Sequence, residues 1–172
     1  GLDRLVIDGL NIWTREPVLE RWENIVRAVR DANRRVTIGI VGKYVDHTDA
    51  YKSLHEALIH GGLDNKAKVD LRYIDSEDIE KRGAETLLKG VDGVLVPGGF
   101  GNRGSEGKIA AVRYAREQKV PFFGICLGLQ VAVIEFARHV CELEDAHSVE
   151  FKESAKNAII HLMAHQHGVE RK

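Results

Sequence analysis

Cys126 stands in the segment Gly124-Ile125-Cys126-Leu127-Gly128, where an apolar run at 120–125 meets helical spacing that begins at Leu127. A nucleophile between two glycines at a strand-to-helix junction is the elbow arrangement, here with cysteine in place of serine. The glycines leave room for a sharp turn that projects the sulfur. The helix start beneath it offers N–H groups without intrahelical partners and favours a thiolate. The amide of the next residue, Leu127, is then aimed where a tetrahedral oxyanion would form. Nucleophilic attack on a carbonyl is the chemistry this spacing permits. The plain alternative is a strand-end cysteine used as a small apolar side chain. Cys141 lacks flanking glycines and follows a helix, so packing is its expected use.

The second informative loop is Val96-Pro97-Gly98-Gly99-Phe100-Gly101-Asn102-Arg103-Gly104-Ser105-Glu106-Gly107. Gly99, Gly101 and Gly104 satisfy G-x-G-x-x-G, which suggests a dinucleotide. That fingerprint belongs after a first strand, whereas this one follows the third, and no suitably placed ribose-binding acid follows. A phosphate-binding P-loop needs four residues between its glycines and a Ser or Thr after the lysine; here five intervene and Ile109 follows Lys108. A glycine-rich loop at a neighbouring strand end has another use, a second backbone donor to the oxyanion, for which Gly99 is the candidate.

These loops need a scaffold, and the remaining pattern supplies one. β-branched runs at 36–41, 69–74, 91–96 and 120–125 alternate with stretches of helical spacing at 50–60, 79–88, 108–118 and 127–139. Such alternation predicts an α/β domain with a mainly parallel sheet and helices on both faces. Runs such as Gly93-Val94-Leu95-Val96 fit strands buried on both sides, and chemistry is expected at the strands' carboxyl ends. Residues 1–35 differ: apolar Val18, Trp22, Ile25, Val26 and Val29 at helical spacing read as a connector from a preceding unit. The domain proper is expected over 36–172.

Composition narrows the partners. The 172 residues carry 25 Lys and Arg against 26 Asp and Glu, a formal charge of -1, without a basic stripe. Nucleic acid and anionic membrane are therefore not expected. No apolar stretch reaches the roughly 18 residues of a membrane span. Two cysteines make no disulfide framework, which favours a reducing, cytoplasmic setting. His161, His165 and His167 are spaced suggestively, yet without a further ligand they read as a surface cluster, and no metal site is expected.

Pro97-Gly98-Gly99-Phe100-Gly101-x-Arg103-Gly104 together with Gly124-Ile125-Cys126-Leu127-Gly128-x-Gln130 resembles the class I glutamine amidotransferase domains, and within them the CTP synthase family. Further stretches carry the resemblance: Ile40 to Tyr44, Asp49 to Ser53, Glu56 to Gly62, Ala137 to His139 and Asp145 to Phe151. The similarity spans about 36–163. It implies a flavodoxin-like domain in which Cys126 is the nucleophile forming a glutamyl thioester. Gly99 and Leu127 match the backbone oxyanion donors. Gln130 and Glu150 match residues holding L-glutamine, Glu150 by its charge toward the α-amino group. Phe100 and Arg103 match a lid loop associated with GTP activation. The resemblance places the ATP, UTP and Mg2+ sites in a synthetase domain outside this chain, implies a homotetrameric parent, and leaves this chain without a cofactor of its own. The family completes its triad with a His and a Glu in a His-Pro-Glu segment that this sequence lacks, so the domain is expected to be incomplete at its carboxyl end. Two other functions share these motifs: a stand-alone γ-glutamyl cysteine hydrolase, and a non-catalytic remnant serving as an interaction module.

Overall fold

A computed structural model describes residues 1–15, 17–43 and 51–161. Four parallel strands form the main sheet: β1 (Arg34–Gly42), β2 (Ala67–Asp75), β3 (Gly93–Val96) and β4 (Phe122–Gly124), in the order β2-β1-β3-β4. β1 pairs with β2 along its whole length, from Arg34 opposite Ala67 to Gly42 opposite Asp75, and with β3 on its other side from Ile38 to Ile40. All four predicted strands are present. β1 starts two residues before the apolar run, because Arg34 and Arg35 are drawn into the β2 ladder and Arg35 pairs with Asp70 at 3.0 Å.

Side-chain alternation assigns the two faces. Val41, Ile74, Val94 and Val96 point to one side, where they pack with Ile79, Leu88, Ile109, Val112, Leu127, Val131 and Ile134 in the main core. This layer contains α4 (Ser76–Arg82), α5 (Ala84–Leu88), α6 (Ser105–Glu117) and α7 (Leu127–His139). The opposite face is covered by α3 (Lys52–Asp64): Gly62 lies against Val69 and Ala67, and His55 Nδ1 is 3.3 Å from the Tyr73 hydroxyl. Helices therefore cover both faces, as expected. Phe123 of β4 points to the α3 side, is 62% exposed, and has no covering helix among the described residues.

One helix was expected over 79–88, and two are found. Asp75 caps α4 by accepting the Glu77 amide at 2.7 Å, and Gly83 at φ +84 ends it before α5 begins. That dihedral favours a residue without a Cβ, so a glycine inside an otherwise helical pattern is a break here. The leading segment forms α1 (Leu2–Gly9) and α2 (Glu20–Asp31), and neither contains a buried residue. Their apolar residues, including Leu5, Trp22, Ile25 and Val29, face solvent. A second, two-stranded parallel sheet of β5 (Ala146–Ser148) and β6 (Asn157–Ile160) follows α7; no strand was expected there.

Strand order reverses between β1 and β3, so β2 and β3 diverge on either side of β1. The crevice outside the carboxyl ends at such a reversal is where open α/β sheets take ligands. Lys43 leaves β1 there, the loop 97–104 leaves β3, and Cys126 follows β4.

Candidate functional site

The elbow is built by close backbone approaches. A Cβ on Gly124 would stand 2.4 Å from the Gly128 carbonyl carbon and 2.7 Å from the Leu129 nitrogen, and one on Gly128 would stand 2.1 Å from the Val96 oxygen. Only glycine at both positions allows α7 to start directly over the ends of β3 and β4. Cys126 is the helix N-cap at φ +51 and ψ −105, a conformation that costs a non-glycine residue about 1–3 kcal/mol. The surrounding contacts hold it there, with its side chain exposed. A cysteine sunk in the core would have excluded chemistry, and this one is open to solvent.

Leu127, 2% exposed, anchors α7 beneath the sulfur. The Gly128, Leu129 and Gln130 amides turn back to Ile125 and Cys126 carbonyls, whereas the Leu127 amide has no backbone acceptor among the described residues. The β3 loop closes the other side. A Cβ on Gly98 would lie 3.6 Å from Cys126 Cβ, and one on Gly99 3.5 Å from Leu127 Cδ2. The Gly99 amide likewise has no backbone acceptor among the described residues. Thus the loop after β3 meets the elbow after β4 beside one exposed thiol, although 27 positions separate Gly99 from Cys126.

The rest of the 97–104 loop is tethered. Lys43 Nζ donates to the Phe100 carbonyl at 2.9 Å, and the Gly101 amide donates to Glu150 Oε1 at 3.2 Å. Arg103 pairs with Glu77 of α4. Phe100 is 81% exposed at the loop tip. Glu150 is thus joined to the glycine loop from its own β5–β6 connection, while Gln130 sits half-buried on the first turn of α7. Arg103 is turned toward α4.

The dinucleotide alternative does not fit the start of α6. Gly104 lies against Ser76 Oγ, Gly107 against the Ser76 carbonyl, and the Gly107 amide donates to Glu80 Oε1 at 3.0 Å. A protein carboxylate holds a first-turn N–H that a pyrophosphate would need. Lys108, 3% exposed, lies beside this junction. Burial lowers its pKa, Lys43 and Arg103 push it the same way, and Asp75 and Glu80 oppose them.

Lys43 and His147 belong to this region and were not singled out by pattern. Both lie inside stretches that carry the family resemblance; the one signal for Lys43 was its place at the end of β1, beside the order reversal. His165 and His167, like Tyr44, Asp49 and Ala50, lie outside the described residues. Among the described residues no group of three or more His, Cys, Asp or Glu is placed to hold a metal, and no helix is long and apolar enough to cross a membrane.

An exposed cysteine on a strand-to-helix elbow, faced by a glycine loop, stands at the carboxyl end of a parallel α/β sheet covered by helices, the architecture of class I glutamine amidotransferase-like domains. The family model for class I glutamine amidotransferases matches residues 46–170, and the chain belongs to that family. Within it the chain is similar to CTP synthases. It is 59% identical over 170 residues to the CTP synthase of Syntrophus aciditrophicus, covering 99% of this chain and 32% of that protein. It is 57% identical over 173 residues to that of Geotalea uraniireducens, covering 100% of this chain and again 32% of the relative. The chain therefore spans about a third of the length of these relatives. Among solved structures it resembles the glutaminase domain of Trypanosoma brucei CTPS with bound acivicin: TM-score 0.71, 41% identity, 76% of this chain and 51% of that one.

Proposed function

We propose that this chain is the glutamine-hydrolysing part of a CTP synthase, with Cys126 as its nucleophile. The observation that carries the reading is the strained, exposed Cys126 on an elbow that the Gly98-Gly99 loop abuts, with no backbone acceptor for the Gly99 and Leu127 amides among the described residues. In the proposed reaction the Cys126 thiolate attacks the side-chain amide carbon of glutamine, forming a C–S bond and an oxyanion received by the two N–H groups. Collapse breaks the C–N bond. The nitrogen leaves as ammonia after taking up a proton, and water then cleaves the thioester to glutamate. Glu150 offers a carboxylate for the substrate's α-ammonium and Gln130 a neutral amide on the first turn of α7.

Proton transfer requires a base and donor. Among the described residues no side chain makes a hydrogen bond to Cys126 Sγ. The family's His-Pro-Glu segment is the proposed source, so turnover is expected of a longer polypeptide and not of these residues alone. There the ammonia would aminate UTP with ATP and Mg2+ held by a synthetase domain. GTP would act on the loop bearing Phe100 and Arg103, and assembly would be tetrameric.

The test is covalent labelling of the full-length polypeptide with acivicin, monitored by intact mass. One adduct is expected in wild type and in Cys141→Ala, and none in Cys126→Ala. Labelling that survives Cys126→Ala, or none in wild type, refutes the assignment.

A further inference from the structure

His147 is used neither by the elbow nor by the glycine loop, yet it is only 9% exposed, three residues before Glu150. Its ring packs edge-on to Phe151, with centroids 5.9 Å apart. Nδ1 accepts the backbone N–H of Ser148 at 3.2 Å. The next amide along the chain, that of Val149, donates to the Ile160 carbonyl at 3.0 Å, and the register shifts beside it: His147 pairs with Ala158, but Ser148 pairs with Ile160. Irregularities of this kind re-aim a strand end beside functional sites.

Ser148, 1% exposed, is the hub of the turn that follows. Its Oγ accepts the Glu150 amide at 3.2 Å, and its carbonyl accepts the Phe151 and Lys152 amides, each at 3.0 Å. Three of the turn's N–H groups thus converge on one residue, whose own N–H is held by the imidazole. From this turn Glu150 reaches the Gly101 amide.

We infer that His147 is a positioning residue of the glutamine site, holding through the Ser148 amide the turn that aims the Glu150 carboxylate. The inference rests on the reading of Glu150 as the carboxylate that takes the substrate ammonium. It requires Nδ1 to be an acceptor, hence an unprotonated ring. Desolvation lowers the His147 pKa, and the Arg138 guanidinium and Lys152 push the same way; Glu106, 3.8 Å from Nε2, and Asp145 oppose them. Arg138 is itself fixed, donating to the Ala146 carbonyl at 2.8 Å and to Glu106 at 2.8 Å. The acceptor form is therefore the one held through neutral pH. It is lost only when acid protonates Nδ1 and sets two donors against each other.

The test is steady-state glutaminase kinetics of the full-length polypeptide between pH 5 and 8, for wild type, His147→Leu, His147→Asn, Glu150→Gln and the double variant His147→Leu/Glu150→Gln. At neutral pH His147→Leu is expected to raise the glutamine KM about tenfold with kcat within about twofold, the pattern of lost ground-state positioning. Asn places an oxygen where Nδ1 stands, so His147→Asn is expected to keep a low KM and to abolish the acid-side KM rise of wild type. In the Glu150→Gln background, His147→Leu should add nothing further. A KM unchanged by His147→Leu while Glu150→Gln raises it overturns the role of His147 and leaves that of Glu150 intact. A KM unchanged by Glu150→Gln overturns the underlying reading and this inference with it. Should His147→Leu not fold, identical pH profiles of KM for wild type and His147→Asn would overturn the proposal equally well.

Discussion

Gly128→Ala tests how the elbow is held. The new methyl would meet the Val96 oxygen at 2.1 Å, its carbonyl carbon at 3.0 Å and its Cβ at 3.1 Å. Val96 is fully buried in β3, and its carbonyl accepts the Ile125 amide at 3.0 Å. No flexible side chain can give way, so α7 must lift from the sheet by about 1 Å to restore contact distances in a close-packed core. Overpacking costs about 1–3 kcal/mol, and a clash with buried backbone belongs at the upper end. At about 2–4 °C per kcal/mol for a domain of this size, Tm should fall by roughly 6–12 °C. The same displacement carries the Leu127 amide away from Cys126, and a misplacement near 1 Å costs on the order of a hundredfold in rate. Thermal unfolding by circular dichroism and the acivicin labelling rate at 25 °C read the two effects separately. A variant that melts within about 2 °C of wild type and labels within about twofold of its rate would refute the packing argument.

Two further substitutions use the same structure in the opposite direction. Gly61 lies inside α3, and a methyl added there would have nothing within 4 Å, so Gly61→Ala should stabilise by about 0.5–1 kcal/mol, and a lower Tm would contradict this. Lys108→Met should melt higher than wild type at neutral pH, because it removes the charge of a lysine that is 3% exposed, is held below its ordinary pKa by desolvation and has no ion-pair partner among the described residues. A folded-state pKa below the ordinary lysine value means that the unfolded chain binds more protons between the two, so wild-type stability rises with pH across that window. The advantage of Lys108→Met should therefore shrink toward pH 10, and a gap that is constant from pH 7 to 10 would show that desolvation is not its cause.

Acivicin labelling, kinetics and melting together address residues that differ in how readable they were. The four strands, α3, α6 and the full extent of α7 follow from periodicity and β-branched runs, since these depend on neighbours a few positions away. The elbow was equally legible, because Gly124, Cys126 and Gly128 carry their constraint within five consecutive residues. The split at Gly83 was less so: a lone glycine is compatible with a helix until its φ is known. The β5–β6 sheet left little trace, as strands of three and four residues show almost no alternation.

Amino-acid order alone determined the α/β class, the elbow cysteine and the glycine loop that faces it. Only the tertiary structure decided that Gly98 lies behind Cys126, that Lys43 holds the Phe100 carbonyl across 57 positions, and that Glu150 meets Gly101 across 49. The physical reason is that these contacts are made where the strand order reverses. Which strand ends meet there depends on how every helix packs on the sheet, and no local pattern encodes that.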